Sequence, residues 1–279
     1  MTPTYEHIRF DVDDVGVATI TLDRPDVRNA FSGRMGAELG DAYTRCDTDD
    51  AVRAVVVTGT PPAFCAGADM TPGDDTFARP ADADAFTASP VRPPAWDVRK
   101  PVIAAVNGHA VGIGLTLALQ CDLRYVARDA RYGVVQARRG VLGDCMSHWT
   151  LPRLAGLANA ADILLTGRLF DGAEARDLGI ANRVFDDSAD VLAAAVETAR
   201  DIAINVAPLS AALSKRLLWE SVARNLSPLQ VERLETALHH VVMGTEDARE
   251  GVRAFVERRP PNWTRRVSEE WPEWPDVET

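Results

Sequence analysis

The chain has 279 residues, 46% apolar and 25% charged, the balance of a globular protein with a full core. A formal net charge of −11 opposes nucleic-acid binding, whose affinity comes largely from Lys and Arg neutralising phosphates. No run of roughly 18 apolar residues predicts a membrane-spanning helix. The start, Met1-Thr2-Pro3-Thr4-Tyr5-Glu6, lacks the basic and apolar regions of a signal peptide, so a cytoplasmic protein is expected.

In chain order, Ile8, Phe10 and Val12 alternate with polar neighbours, and a second alternating stretch runs from Val15 to Leu22. Asp13-Asp14 between them predicts a hairpin. A helix is expected from Ser32, its N-cap, to Cys46, with Met35, Leu39, Ala42 and Tyr43 on one face. The β-branched or apolar runs Val52–Thr58, Pro101–Val106 and Leu123–Ala127 predict buried strands. Between the first two lies a loop from about Thr71 to Pro94, rich in Asp, Pro, Ala and Thr and free to move. After Gly179 come a short strand (Ile180 to Phe185) and helical patterns over roughly 188–204, 208–224, 228–241 and 245–257. The end, with Trp263, Trp271 and Trp274 among Pro and Glu, has no periodicity and is expected to pack loosely or on a neighbour. These elements divide the chain into a layered α/β core (1–190), a helical C-terminal region (191–263) and an irregular tail (264–279). Cys46, Cys65, Cys121 and Cys145 are far apart, show no metal-ligand pairing and read as reduced packing thiols.

Two segments carry candidate chemistry. Phe64-Cys65-Ala66-Gly67-Ala68-Asp69-Met70 follows a strand, and its small residues allow close approach of a backbone or ligand. Alone it also reads as a strand-to-helix turn capped by Asp69. Val106-Asn107-Gly108-His109-Ala110-Val111-Gly112-Ile113-Gly114 opens an apolar helix, Leu115 to Gln120, whose first N–H groups lack intrahelical partners and suit a developing negative charge. Its glycine spacing does not fit a dinucleotide site.

Together the two segments resemble the oxyanion-hole signatures of the crotonase (enoyl-CoA hydratase/isomerase) superfamily, A-F-x-A-G-x-D and N-G-x-A-x-G-x-G. Leu22-Asp23-Arg24-Pro25-Asp26-Val27-Arg28-Asn29-Ala30 resembles the family's R-P-x-x-x-N-A signature, and Phe255-Val256-Glu257-Arg258-Arg259-Pro260-Pro261 its F-x-E-[KR]-R-x-P ending. The resemblance covers about residues 5–263, with four motifs in the expected order. It implies a spiral of ββα turns with a C-terminal helical trimerisation region, assembled as a homotrimer or a hexamer that is a dimer of trimers. It also implies an acyl-CoA substrate in fatty-acid metabolism, with coenzyme A as part of the substrate and no covalently bound cofactor or metal. By position, the oxyanion donors are the N–H groups of Ala68 and Ile113, and coenzyme A contacts fall to Arg28, Ala66, Asp69 and Met70. Arg28 also reads as a solvated surface charge. Asp69 and Asp122 match capping or positioning acids of the motifs.

The two glutamates of the family's hydratases fall on Thr116 and Gln136, neither of which can accept a proton at neutral pH. One acid remains nearby, Asp144, four residues beyond Gly140. Its position resembles that of the catalytic acid of Δ3,Δ2-enoyl-CoA isomerases, one acid of dienoyl-CoA isomerases, and the nucleophilic Asp of 4-chlorobenzoyl-CoA dehalogenases. The resemblance therefore implies an enoyl-CoA isomerase that moves a proton through a single carboxylate. The alternatives are a 2-enoyl-CoA hydratase (a lyase) and a non-catalytic acyl-CoA binder. Dehalogenation also needs an aromatic cradle, and only 6% of the residues are aromatic. Asp144 also reads as an N-cap for the helix containing Met146, His148 and Trp149, with His148 able to pair with it if the helix begins there. Cys65 and Cys145 read as lining, His239-His240 as surface or interface, and Arg138-Arg139 as lining the pocket or pairing with nearby acids.

Overall fold

The computed structural model describes residues 4–79 and 86–276. Strands β1 (Ile8–Val12) and β2 (Val17–Leu22) form the expected antiparallel hairpin, its turn closed by the Asp13 carboxylate accepting from the N–H groups of Val15 and Val17. Helix α1 (Gly33–Thr48) starts where Ser32 caps the N–H of Met35, and Met35, Leu39, Ala42, Tyr43 and Cys46 form its buried face. The apolar runs become β3 (Ala54–Gly59), β5 (Val102–Val106) and β7 (Leu123–Ala127), parallel to β2 and to one another. With β9 (Arg183–Phe185) they complete a sheet in the order β1-β2-β3-β5-β7-β9. β3 and β5 are buried throughout, as strands covered on both faces must be.

A second parallel sheet, β4-β6-β8, is made of β4 (Ala63–Cys65), β6 (His109–Val111) and β8 (Tyr132–Gly133). Each of these strands follows one strand of the large sheet after a short corner, so every turn of the chain feeds both sheets. Two or three residues cannot display an alternation, and sequence periodicity passes over such strands. The segment from Phe64 is accordingly a strand end rather than a strand-to-helix turn. The corners are locked by buried amides: Asn29 donates to the carbonyls of Thr60 and Ala63, and Asn107 exchanges two bonds with Gly59.

Helices α2 (Ile113–Ala118), α3 (Ser147–Thr166, interrupted at the non-helical Gly156) and α4 (Gly172–Asp177) fill the turns. Helix α5 (Ser188–Asn205) lies against β3, β5 and β7 and buries Val191, Ala195, Ala199 and Ala203 in the main core. The division at residue 190 thus falls inside a core helix, and the helical region proper begins with α6 (Pro208–Ala223), followed by α7 (Pro228–Val242) and α8 (Glu246–Glu257). The described part of the tail holds a helical turn, α9 (Val267–Glu270), and a stacked Trp271–Trp274 pair packed on the chain's own Leu209, Leu213 and Leu238. Of the Thr71–Pro94 loop, Gly73–Phe77 forms a 3-10 turn, and residues 80–85 lie outside the described residues, as do 1–3 and 277–279. Among the described residues no helix is long and apolar enough to cross a membrane.

Candidate active site

The segment after β4 is laid beside the N-terminal segment as a short parallel pair: Phe31 N–H donates to Gly67, Asp69 N–H donates to Phe31, and Ala66 N–H donates to Arg28. In an extended chain, the carbonyl of one residue and the N–H two residues on point to the same side. The bonds of Gly67 and Asp69 to Phe31 therefore turn the N–H of Ala68 to the opposite side. There Ala68 lines a cavity of about 330 Å³. Gly67 sits at φ +111°, a backbone that L side chains rarely adopt.

The second candidate donor, Ile113, lies where β6 passes into α2. Gly112 (φ 57°, ψ −125°) turns the chain into the helix while its own N–H donates to Gly133. Ile113, the first helical residue, has no intrahelical partner for its N–H. It lines the same cavity as Ala68. Gly114 brings the two turns together: a Cβ there would stand 2.3 Å from the Cys65 carbonyl oxygen and 2.8 Å from the Cys65 Cβ.

Asp144 also lines this cavity, and its Oδ1 accepts from Thr116 Oγ1 at 2.5 Å. The carboxylate is placed by backbone, not by a helix cap. Helix α3 begins after Met146, and the Asp144 side chain bonds none of its N–H groups. Cys145 and Met146 are both left-handed (φ 46° and 58°), held where Cys145 N–H meets the Ala88 carbonyl and Gln120 Nε2 meets the Cys145 carbonyl. Strained backbone of this kind, about 1–3 kcal/mol per residue, persists only when its surroundings over-determine it. His148 is exposed, and α3 starts too late to stack it on Asp144.

Burial pushes the Asp144 carboxyl above its ordinary value, while the Thr116 hydroxyl pulls the other way by favouring the ionised form. Gln136 stands beside the same carboxylate and also favours its ionised form, although neither atom of its amide has a partner in hydrogen-bond geometry among the described residues. Thr116, Asp144 and Gln136 thus form one cluster. Cys65 and Cys145 are buried, and burial pushes their thiols up to about 11 and about 12, so both stay protonated at neutral pH.

Of the residues named as coenzyme A contacts, Ala66 and Met70 line the cavity. Arg28 is exposed, and its carbonyl holds the Ala66 N–H next to the turn. Asp69 is otherwise engaged: its carboxylate takes Thr71 and an Arg24 ion pair of 2.8 Å, which together hold it down to about 2. Arg24, which also donates to the Ala30 carbonyl, is a positioning residue that sequence reasoning passed over. Asp122 accepts from the Val102 N–H and Trp219 Nε1 and pairs with buried Lys215, a structural role. Arg138 bonds the Thr166 carbonyl, whereas Arg139 faces the cavity. Among the described residues no group of three or more His, Cys, Asp or Glu is arranged to hold a metal ion.

Residues 13–266 match the sequence profile of the Enoyl-CoA hydratase/isomerase family. The chain is 33% identical to the enoyl-CoA hydratase AFT3-1 of Alternaria alternata, covering 93% of this chain and 87% of the relative. It is 34% identical to the 1,2-epoxyphenylacetyl-CoA isomerase of Escherichia coli K12, covering 89% and 95%. Among solved structures, a probable enoyl-CoA hydratase/isomerase from Mycobacterium abscessus superimposes with a TM-score of 0.89 at 51% identity, covering 92% of this chain and 98% of that one.

Proposed function

The chain belongs to the enoyl-CoA hydratase/isomerase family, and on that premise we propose that it shifts a double bond along an acyl-CoA through Asp144. Membership makes it an acyl-CoA enzyme; the double-bond shift is the finer reading. The observation that carries it is the Thr116–Asp144–Gln136 cluster, in which one titratable carboxylate stands beside two neutral groups.

In this reading the thioester carbonyl accepts from the N–H groups of Ala68 and Ile113. Asp144 takes the C2 proton of a 3-enoyl thioester, and the C–H electron pair moves into the carbonyl, giving a dienolate whose oxyanion the two donors hold. The protonated carboxyl then returns its proton to C4, leaving the 2-enoyl thioester. One carboxyl suffices because the proton leaves and returns with no net change, and no covalently bound cofactor enters. One oxyanion donor is worth about 2.7–4 kcal/mol in acyl-transfer enzymes. The raised pKa of Asp144 suits a base that must give its proton back.

Hydration is the second reading, favoured by the likeness to the Alternaria enoyl-CoA hydratase and by the unpartnered Gln136 amide beside Asp144, where a water would have to be oriented. The two separate on substrates. Conversion of hex-3-enoyl-CoA to the conjugated 2-enoyl thioester supports isomerisation, and loss of conjugated absorbance from crotonyl-CoA supports hydration. Asp144→Asn is expected to lose the double-bond shift with acyl-CoA binding retained; full turnover in that variant would refute Asp144 as the base. The family's trimer or dimer of trimers is the proposed assembly, supported by the exposed Leu218, Phe255 and Val256 of α6 and α8 and checked by light scattering.

A further inference from the structure

Gln136 and Arg139 are the first and last residues of a 3-10 turn, Gln136–Arg139. Residues three apart eclipse in a 3-10 helix, so the two side chains leave on one side, and both line the cavity that holds Asp144. Gln136 is only 7% exposed, and its Nε2 and Oε1 have no hydrogen-bond partner among the described residues. Its carbonyl, by contrast, is engaged by the N–H of Val141. The amide lies over Gly112, where a Cβ would stand 3.8 Å from its carbon. Native proteins leave few buried amides without partners, because each unmade bond is costly. Arg139 is exposed at the cavity, with a hydrogen bond to the adjacent Arg138 carbonyl at 3.3 Å. Nearby Arg168, by contrast, is paired with both Asp162 and Glu174.

We propose that the cavity selects acyl-CoA thioesters whose acyl group carries an oxygen substituent, a hydroxyl or a carboxylate, read by Gln136 and Arg139 together. A hydroxyl accepts from Nε2 and donates to Oε1; a carboxylate accepts from Nε2 and from the guanidinium. A plain alkyl chain would fill the apolar lining of Met70, Phe77, Val111 and Val135 but leave the amide desolvated and unpaired. This specificity rests on the acyl-CoA reading above and not on which carbon Asp144 deprotonates.

The test compares hex-3-enoyl-CoA, its 6-hydroxy derivative and the mono-CoA thioester of hex-3-enedioic acid. Wild-type kcat/KM is expected to favour at least one oxygenated substrate by about tenfold or more, since a site built to hydrogen-bond a group rejects the analogue lacking it. Gln136→Leu should bring the ratio close to one. Arg139→Gln should lower the carboxylate substrate selectively if the carboxylate is what is read, and spare the hydroxyl preference if the hydroxyl is. Equal or better use of the alkyl thioester by the wild type overturns the proposal. A uniform rise in KM for all three in Arg139→Gln removes Arg139 from acyl selection and assigns it to coenzyme A phosphates. Binding of hexanoyl-, 6-hydroxyhexanoyl- and adipyl-CoA to the wild type, followed calorimetrically, makes the same comparison without turnover. Absence of turnover on all three enoyl thioesters would count against the isomerase reading alone.

Discussion

Gly114→Ala tests whether the oxyanion donors depend on the close contact between α2 and β4. The added Cβ would lie 2.3 Å from the Cys65 carbonyl oxygen, where ordinary contacts begin near 3.4 Å, so about 1 Å must be found. Both obstructing groups are close to backbone: the Cys65 carbonyl and Cβ on one side, the first turn of α2 on the other. The movement must therefore separate Ile113 from the Ala66–Ala68 segment that follows Cys65. A misplacement of about 1 Å can cost about 100-fold in rate, equivalent to roughly 2.7 kcal/mol in the barrier. Overpacking itself costs about 1–3 kcal/mol, which a domain stable by about 5–15 kcal/mol survives. The assay is kcat for the double-bond shift at saturating thioester, with thermal unfolding measured on the same samples. Gly33→Ala is the control, because nothing lies within 4 Å of its added Cβ in the first position of α1. That variant should keep full activity and gain up to about 1 kcal/mol of stability. A folded Gly114→Ala protein with wild-type kcat would refute the reasoning.

Thr116→Val removes the hydroxyl that favours ionised Asp144, so the acid limb of kcat/KM should move to higher pH, while Thr116→Ser keeps it in place. Because Asp144 titrates above its ordinary value of 3.8 in the folded state, the folded chain binds more protons than the unfolded one just above that value. Its contribution to stability therefore falls as pH rises through the window between the two values, and Asp144→Asn should flatten that decline in urea titrations. Asn29→Ala strips partners from the Thr60 and Ala63 carbonyls and puts alanine at φ 55°, and urea unfolding should register a loss of about 2–4 kcal/mol. Asp69 behaves oppositely to Asp144. Held at about 2 by Thr71 and Arg24, it stabilises the fold above the ordinary carboxylate value and loses that contribution as pH falls from 3.8 toward 2. In Arg24→Gln the Asp69 titration followed by carbon NMR should move up toward 3.8.

The hairpin, the buried strands and helices α1 and α5–α8 were legible because each repeats its pattern over several residues, with Ser32 as a cap at the start of α1. β4, β6 and β8 were not, because their stability lies in cross-sheet pairing and in the corner amides of Asn29 and Asn107, which no local pattern reveals. The family resemblance pointed to Asp144 but left an N-cap as its alternative. Only the left-handed backbone at Cys145 and Met146, set by distant Ala88 and Gln120, decides where α3 starts. Thr116 was legible only as a missing glutamate, and its bond to Asp144 spans 28 residues. Gln136 and Arg139 share a face because of a three-residue period that a one-turn segment is too short to announce.

The N–H of Ala68 is turned toward the cavity only because Phe31 engages Gly67 on one side of it and Asp69 on the other. The segment carrying Phe31 follows β2, next to the edge hairpin of the large sheet, where local opening takes less free energy than unfolding the core. Fraying that edge would unseat the donor while β3, β5 and β7 stay paired beneath α5. Catalysis would then vanish ahead of the cooperative melt, and turnover measured against mild denaturant would report the docking of the N-terminus as a separate event.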